Sequence, residues 1–195
     1  MSTAILPPPP PTASQPPIAA TATTAGQPQP AQTGVWIAIA TISMSFAALT
    51  SALIVRQSGA ADWQHFRLPP LLYLNTFVLL ASSVSLERSR RQRSALGLHA
   101  ALALGLLFIA GQALAWRQLG AQGLFLATGP SSAFFYVFTV LHALHVLGGL
   151  GGLLYVRRRL IAGRLAPSTF AAAALYWHFM AILWLYLLLL LTIRA

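Results

Sequence analysis

The chain has 195 residues, 57% of them hydrophobic and 7% charged, with a formal net charge of +10. A soluble domain carries about a quarter of its residues as charges, so this composition excludes an ordinary soluble fold and specifies an integral membrane protein. The twelve basic residues are all arginine, in short clusters between apolar runs; that is the pattern of segments anchored beside lipid phosphates, not of a nucleic-acid surface.

Cysteine is absent, which removes disulfides, thiolate metal sites and thiol chemistry. The acidic residues are Asp62 and Glu87, and neither falls in the middle of an apolar run. Intramembrane proton relays and cation sites usually rest on carboxylates, so this scarcity weighs against both.

Residues 1–33 are rich in Pro, Ala, Thr and Gln, with five consecutive prolines at Pro7 to Pro11. Such a segment cannot bury a core and is expected to be a disordered, extended tail. It lacks the basic first region of a signal peptide. Residues 34–195 are expected to form an all-α membrane domain of five transmembrane helices. The predicted spans are 34–55, 69–86, 94–115, 131–156 and 169–193, each near the ~20 residues needed to cross hydrocarbon. Pro69 and Pro70, Pro130 and Pro167 punctuate the starts of the second, fourth and fifth.

Arginine placement sets the expected orientation. With the N-terminus inside, the inner loops hold Arg88, Arg90, Arg91, Arg93, Arg157, Arg158, Arg159 and Arg164, against Arg56, Arg67, Arg117 and Arg194 outside. Excess positive charge marks the cytoplasmic side, so the C-terminus is expected outside.

Association in lipid depends on close backbone approach and interhelical hydrogen bonds. Gly97, Ala101 and Gly105 form a small-residue seam on the third span, and Ser82, Ser83 and Ser85 roughen the second. The run Phe134 to Tyr155 is the most informative. Within an apolar span it carries Tyr136, Thr139, His142 and His145 near one face, then Gly148 and Gly152 four residues apart. A polar stripe followed by a glycine notch predicts a helix packed against protein. The loops leave no room for a soluble catalytic domain.

His142 and His178 each lie roughly 14–17 Å from a span end at 1.5 Å per residue. Two histidines near the midplane on different helices could ligate haem b or copper; hydrogen bonding between helices or to a lipid headgroup is the other reading. His99 and His65 are expected at the interface. Tyr176, Trp177, Phe179, Trp184 and Tyr186 lie within the fifth span, part of them deeper than an interfacial aromatic belt, which suits packing against a helix or an acyl chain. Glu87 is spaced to pair with Arg90 or Arg91. Arg157 and Arg158, at the inner end of the fourth span, suit a phosphate clamp because guanidinium binds phosphate bidentately; topology-setting charge is the alternative.

FFYVFTVLHALHVLGG (134–149) resembles the signature of subunit III of the haem-copper oxidases. Four further pieces resemble that family in the same order: GVWIAIAT (34–41, containing Trp36), LNTFVLLASS (74–83), FIAGQALAW (108–116), and YWHF followed by Trp184. The resemblance covers about residues 34–190 and implies a five-helix form of a fold often built from seven. It further implies a subunit with no cofactor of its own, haem and copper being expected in the partner subunits. Subunit I would be the main contact, with subunit II or other small subunits beside it, and phospholipid would be held in a cleft between helix groups. Carried onto this chain, Trp36, His142, His145, Tyr176, Trp177 and His178 become bundle or cleft residues, with Arg157 and Arg158 beside the lipid. A respiratory membrane, bacterial-type and cytoplasmic, is the implied location.

The chain departs from the family pattern at every carboxylate within the spans. Ile42, Ala115 and Ala181 stand where the family has glutamate or aspartate, and Val140 stands for a glycine. Packing and lipid holding are the roles that these replacements leave intact. The expected function is therefore a non-catalytic subunit of a terminal oxidase that reduces oxygen to water and pumps protons. The equivalent subunit of a nitric oxide reductase or of a quinol–acceptor supercomplex is an alternative, and a bis-histidine haem b electron carrier is an alternative of another class. Transporters are disfavoured by the absence of an inverted repeat and of intramembrane charge.

Overall fold

The computed structural model describes residues 30–59, 63, 67–92 and 94–194. The predicted tail up to residue 29, Asp62, His65 and Arg93 lie outside the described residues. The described residues form five helices: α1 (Pro30–Ser58), α2 (Leu71–Gln92), α3 (Ala95–Ala121), α4 (Pro130–Ile161) and α5 (Pro167–Arg194). α1 thus begins four residues before the expected span, with Pro30 in the first turn, where its missing N–H is not needed. α3 and α4 run past their apolar stretches through Arg117 and Gln118 and through Arg157 to Arg159, residue types that sustain a helix.

Four helices, all but α2, are long and apolar enough to cross a membrane by length and composition. At 22 residues, α2 would reach about 33 Å, so its length is sufficient. Its serines and the charges from Glu87 to Arg91 set it apart from the others. Those polar groups face protein: Asn75, Thr76, Ser82, Ser83 and Ser89 are all buried.

Helices α2, α3, α4 and α5 form a closed ring, each touching the next, and α1 packs outside the ring against α4 and α5. The arrangement explains the burial of each helix. In the most apolar stretch of α1 17% of residues are buried, against 44% in α4 and α5.

Tight turns hold the ring together. Between α2 and α3, the Ser89 hydroxyl donates to the Ser94 carbonyl at 2.6 Å, while the Ser94 amide returns to the Ser89 carbonyl at 3.2 Å. A Cβ on Gly97 would lie 2.7 Å from the Ser85 carbonyl oxygen, so only glycine lets α3 come this close to α2. α3 and α4 both end on a left-handed glycine, Gly123 (φ 78°) and Gly163 (φ 65°). In each case the next residue's amide bonds back to a carbonyl five residues earlier, Leu124 to Leu119 and Arg164 to Arg159. That closure caps the orphan carbonyls of a helix end and turns the chain sharply.

Candidate functional site

The centre of the ring is built around two tryptophans of α5, seven residues apart. Trp177 is fully buried, and its indole N–H donates to Ser82 Oγ at 3.1 Å. Ser82 in turn donates to the Ala101 carbonyl at 2.8 Å, so one chain of hydrogen bonds links α5, α2 and α3. The indole lies over Gly105 of α3 and Gly149 of α4, where an added Cβ would come within 2.8 Å and 3.1 Å of the ring. One side chain therefore contacts every other helix of the ring.

Two turns further along α5, Trp184 donates to Thr76 Oγ1 at 2.9 Å. Its ring meets Phe108 edge-on at 5.1 Å and lies 5.1 Å from His142. Asn75 Nδ2 donates to the Phe108 carbonyl at 2.9 Å, fixing the same layer from α2. Near the end of α3, Trp116 Nε1 donates to Thr139 Oγ1 at 3.0 Å, and the Tyr136 hydroxyl donates to the Leu124 carbonyl at 2.8 Å.

The histidines occupy separate environments. His142 is fully buried between Phe108 and Trp184, and neither ring nitrogen has a hydrogen-bond partner among the described residues. Gln112, buried on α3, is in the same condition. His145 Nδ1 bonds its own helix at the Leu141 carbonyl (2.7 Å), and its ring lies 6.0 Å from Phe46 of α1. The Tyr176 hydroxyl donates to the His145 carbonyl at 3.1 Å. His178 pairs through Nδ1 with Ser83 Oγ, and its Nε2 lies 3.6 Å from Glu87 Oε2. His142 and His178, considered above as a ligand pair, thus point into different surroundings. Among the described residues no cluster of three or more His, Asp or Glu side chains could hold a metal ion.

Among the described residues, charge is confined to the helix ends and the loops between them. Glu87 accepts from both arginines that its spacing offers, from Arg90 at 2.8 and 2.9 Å and from Arg91 at 2.8 Å. Arg90 first, and then Arg91, hold its carboxyl down to about 2. At the same end Arg157 Nε donates to His99 Nε2 at 2.9 Å, joining α4 to α3. Arg158 is exposed, and Arg159 sits over Tyr155 with its guanidinium 5.3 Å from the ring centre.

Grooves open on the flanks, two of which bear on the predicted residues. One, of about 400 Å³, runs between α1, α4 and α5, walled by Ala31, Gly34, Ala38, Gly148, Gly152 and Tyr176 among others. Within the chain Gly148 and Gly152 are not points of close approach. A Cβ on Gly148 would come no nearer than 3.9 Å to Tyr176 Oη, and one on Gly152 meets nothing within 4 Å. The second groove, of about 410 Å³, follows the outer face of the α3–α4 pair. Trp36 is exposed on α1, outside the ring. Of the predicted packing residues, Gly97, Ala101 and Gly105 lie in the tight seam of α3; Gly149, Gly111, Asn75, Thr76 and Gln112 belong to the core without having been singled out. A faint signal existed for the hydroxyls: Thr76 and Ser82 are six apart on α2, matching the seven-residue step from Trp177 to Trp184.

The family profile described as "Cytochrome c oxidase subunit III" matches residues 37–194 of the chain. Among curated proteins, the "Cytochrome c oxidase subunit 3" of Struthio camelus is 34% identical over 124 residues, covering 58% of this chain and 46% of that protein. The protein of the same name from Gallus gallus matches with the same identity and coverage. The chain therefore spans about half the length of the curated relatives it matches.

Proposed function

The chain belongs to the cytochrome c oxidase subunit III family, and on that premise we propose that it is a non-catalytic membrane subunit of a haem-copper terminal oxidase. In this reading the chemistry of oxygen reduction belongs to a haem- and copper-bearing subunit I. This chain braces that subunit through its exposed helix faces and holds phospholipid beside it. The membrane is a respiratory one, bacterial-type, with the arginine-rich end inside.

The observation that carries the reading is the character of the core. Its buried polar side chains are neutral, and most are consumed in joining helices, as Trp177 to Ser82 and Trp184 to Thr76 are. The one described carboxylate is held at a helix end by two arginines. A scaffold needs such a core, whereas proton abstraction or nucleophilic attack needs a charged or activatable group facing a cleft. The small-residue groove along α1, α4 and α5 and the largely exposed α1 supply surface for a neighbouring subunit.

Purification of the tagged chain from its native membrane in mild detergent tests this directly. A haem- and copper-bearing subunit should copurify, and haem absorbance should disappear when the chain is separated from it. Stoichiometric haem on the separated chain, or its recovery without any redox subunit, would refute the assignment.

A further inference from the structure

Two side chains inside the ring have polar atoms left over. His142 on α4 is 0% exposed and Gln112 on α3 is 1% exposed. Both ring nitrogens of the first and both carboxamide atoms of the second lack a hydrogen-bond partner among the described residues. Protein interiors pair nearly all such atoms, with protein or with ordered water, because a bare one forfeits the bonds that solvent gave it in the unfolded chain.

The two residues share one layer of the ring. Phe108, Gln112 and Trp116 follow one another on α3 at four-residue steps and so lie along one face. Phe108 meets the His142 ring edge-on, with centroids 5.9 Å apart. Trp116 Nε1 bonds Thr139, three residues before His142. Gln112 lies between those two contacts, at the level where α4 presents Thr139 and His142. α5 closes the layer with Trp184, whose ring is 5.1 Å from His142.

The polar side chains around this layer are already engaged. Trp184 donates to Thr76, Thr139 to the Phe135 carbonyl and Asn75 to the Phe108 carbonyl. Ala115, three residues past Gln112, and Ala181, three before Trp184, are buried and carry the smallest of side chains. A neutral imidazole offers one donor and one acceptor, and a carboxamide offers both kinds. The ligand that suits such a set is small, uncharged, and able both to donate and to accept. Water fits, making about three hydrogen bonds when buried. The two ring nitrogens point to opposite edges of the imidazole, so one water cannot serve both.

We propose that the ring encloses a hydration site between α3 and α4, in which at least two waters are held by His142 and Gln112. The waters join the two helices where no direct side-chain bond does. The layer of Trp177 stays dry, because its indole, the Ser82 hydroxyl and the Ala101 carbonyl satisfy one another.

X-ray radiolytic footprinting tests this on the full chain in nanodiscs, together with the subunits that accompany it. Hydroxyl radicals form from the water itself and react before they travel, so a buried side chain is oxidised only where water lies beside it. Trp184 and Trp177 are 1% and 0% exposed and equally reactive, which makes them a matched pair. Oxidation is expected at Trp184 and His142 and not at Trp177. In the His142→Phe, Gln112→Leu double variant the polar groups are gone together, which a core tolerates, and the label at Trp184 should be lost. Trp184 as unmodified as Trp177 in the wild type would overturn the proposal, and this comparison decides it even if the double variant does not fold. Undiminished label at Trp184 in a folded double variant would overturn it as well, since water there would owe nothing to these two residues.

Discussion

Replacing Trp177 and Ser82 singly and together probes how the helices are held. Trp177→Phe removes the indole N–H that reaches Ser82 and withdraws the ring edge that lies over Gly105 and Gly149. The lost hydrogen bond contributes about 1 kcal/mol and the unfilled space about as much again, so roughly 2 kcal/mol is expected. Ser82→Ala strands the indole N–H in a core with no water to replace the hydroxyl, at a cost of about 1–3 kcal/mol. It also removes the bond to the Ala101 carbonyl. In the double variant the phenyl ring needs no acceptor, so the two costs should overlap by about 1 kcal/mol, within the range measured between membrane helices. Reversible unfolding of the chain in bicelles, titrated with denaturing detergent, measures all three variants. Costs that add to within about 0.3 kcal/mol would show that the indole and the hydroxyl do not act as a pair, and the account of the ring's centre would fall.

Three further substitutions address other levels of the structure. Gly111→Ala places a methyl group against the Asn75 side-chain oxygen, so it should displace the amide from the Phe108 carbonyl and cost about 2 kcal/mol; thermal unfolding unchanged from wild type would contradict the packing described. Gly148→Leu has room within the chain, so the isolated chain should fold normally while recovery of its partner subunits drops, and normal recovery would mean that the α1–α4–α5 groove meets lipid. Glu87→Gln should cost less than about 1 kcal/mol because its partners are largely exposed. The depressed carboxyl contributes its stability in full above the ordinary value of 4.5 and loses it as the pH falls to about 2. The difference between wild type and variant should accordingly shrink only between those limits, and an infrared carboxyl band that protonates near pH 4.5 would refute the pairing.

Helices α1, α3, α4 and α5 were legible because hydropathy alone locates them, α2 from its shorter apolar run behind Pro69 and Pro70, and the arginine pairs of Glu87 followed from i,i+3 and i,i+4 spacing. What escaped depended on which face of a helix meets which neighbour. The Gly148–Gly152 pair stands out in sequence, yet the glycine pressed against Trp177 is Gly149, because α5 crosses α4 on the adjoining face. α2 reads as the weakest span, and only its partners explain it. Asn75, Thr76, Ser82 and Ser83 face α3 and α5, which satisfy them, so a helix too polar for lipid is well suited to a position inside a ring. His142 shows the same limit from the other side. A histidine three residues before another suggests a shared site, but Phe108 and Trp184 enclose one while Leu141 and Phe46 receive the other.

The positions at which the resemblance noted above would place acidic residues acquire meaning from burial. Ile42 is 6% exposed, Ala115 0% and Ala181 3%, so a carboxylate at any of them would stand inside the protein. Each would need a cationic or donor partner, since an unpaired buried ion costs several kcal/mol. The described arginines lie at helix ends and in loops, well along the axis from Ile42 and Ala181, and Arg117, two residues beyond Ala115 on α3, is exposed. Apolar residues at these three positions and a cationless interior are therefore two sides of one arrangement. Inside the ring, hydrogen bonding between the helices falls to neutral indoles, hydroxyls, the Asn75 carboxamide and the His178 ring, whose bonds require no ion to be stripped of water. Such bonds keep their strength over the whole physiological pH range. Charge, by contrast, is concentrated where Arg90, Arg91 and Arg157 meet the interface, so sensitivity to pH and salt should be a property of the helix ends and not of the ring they close.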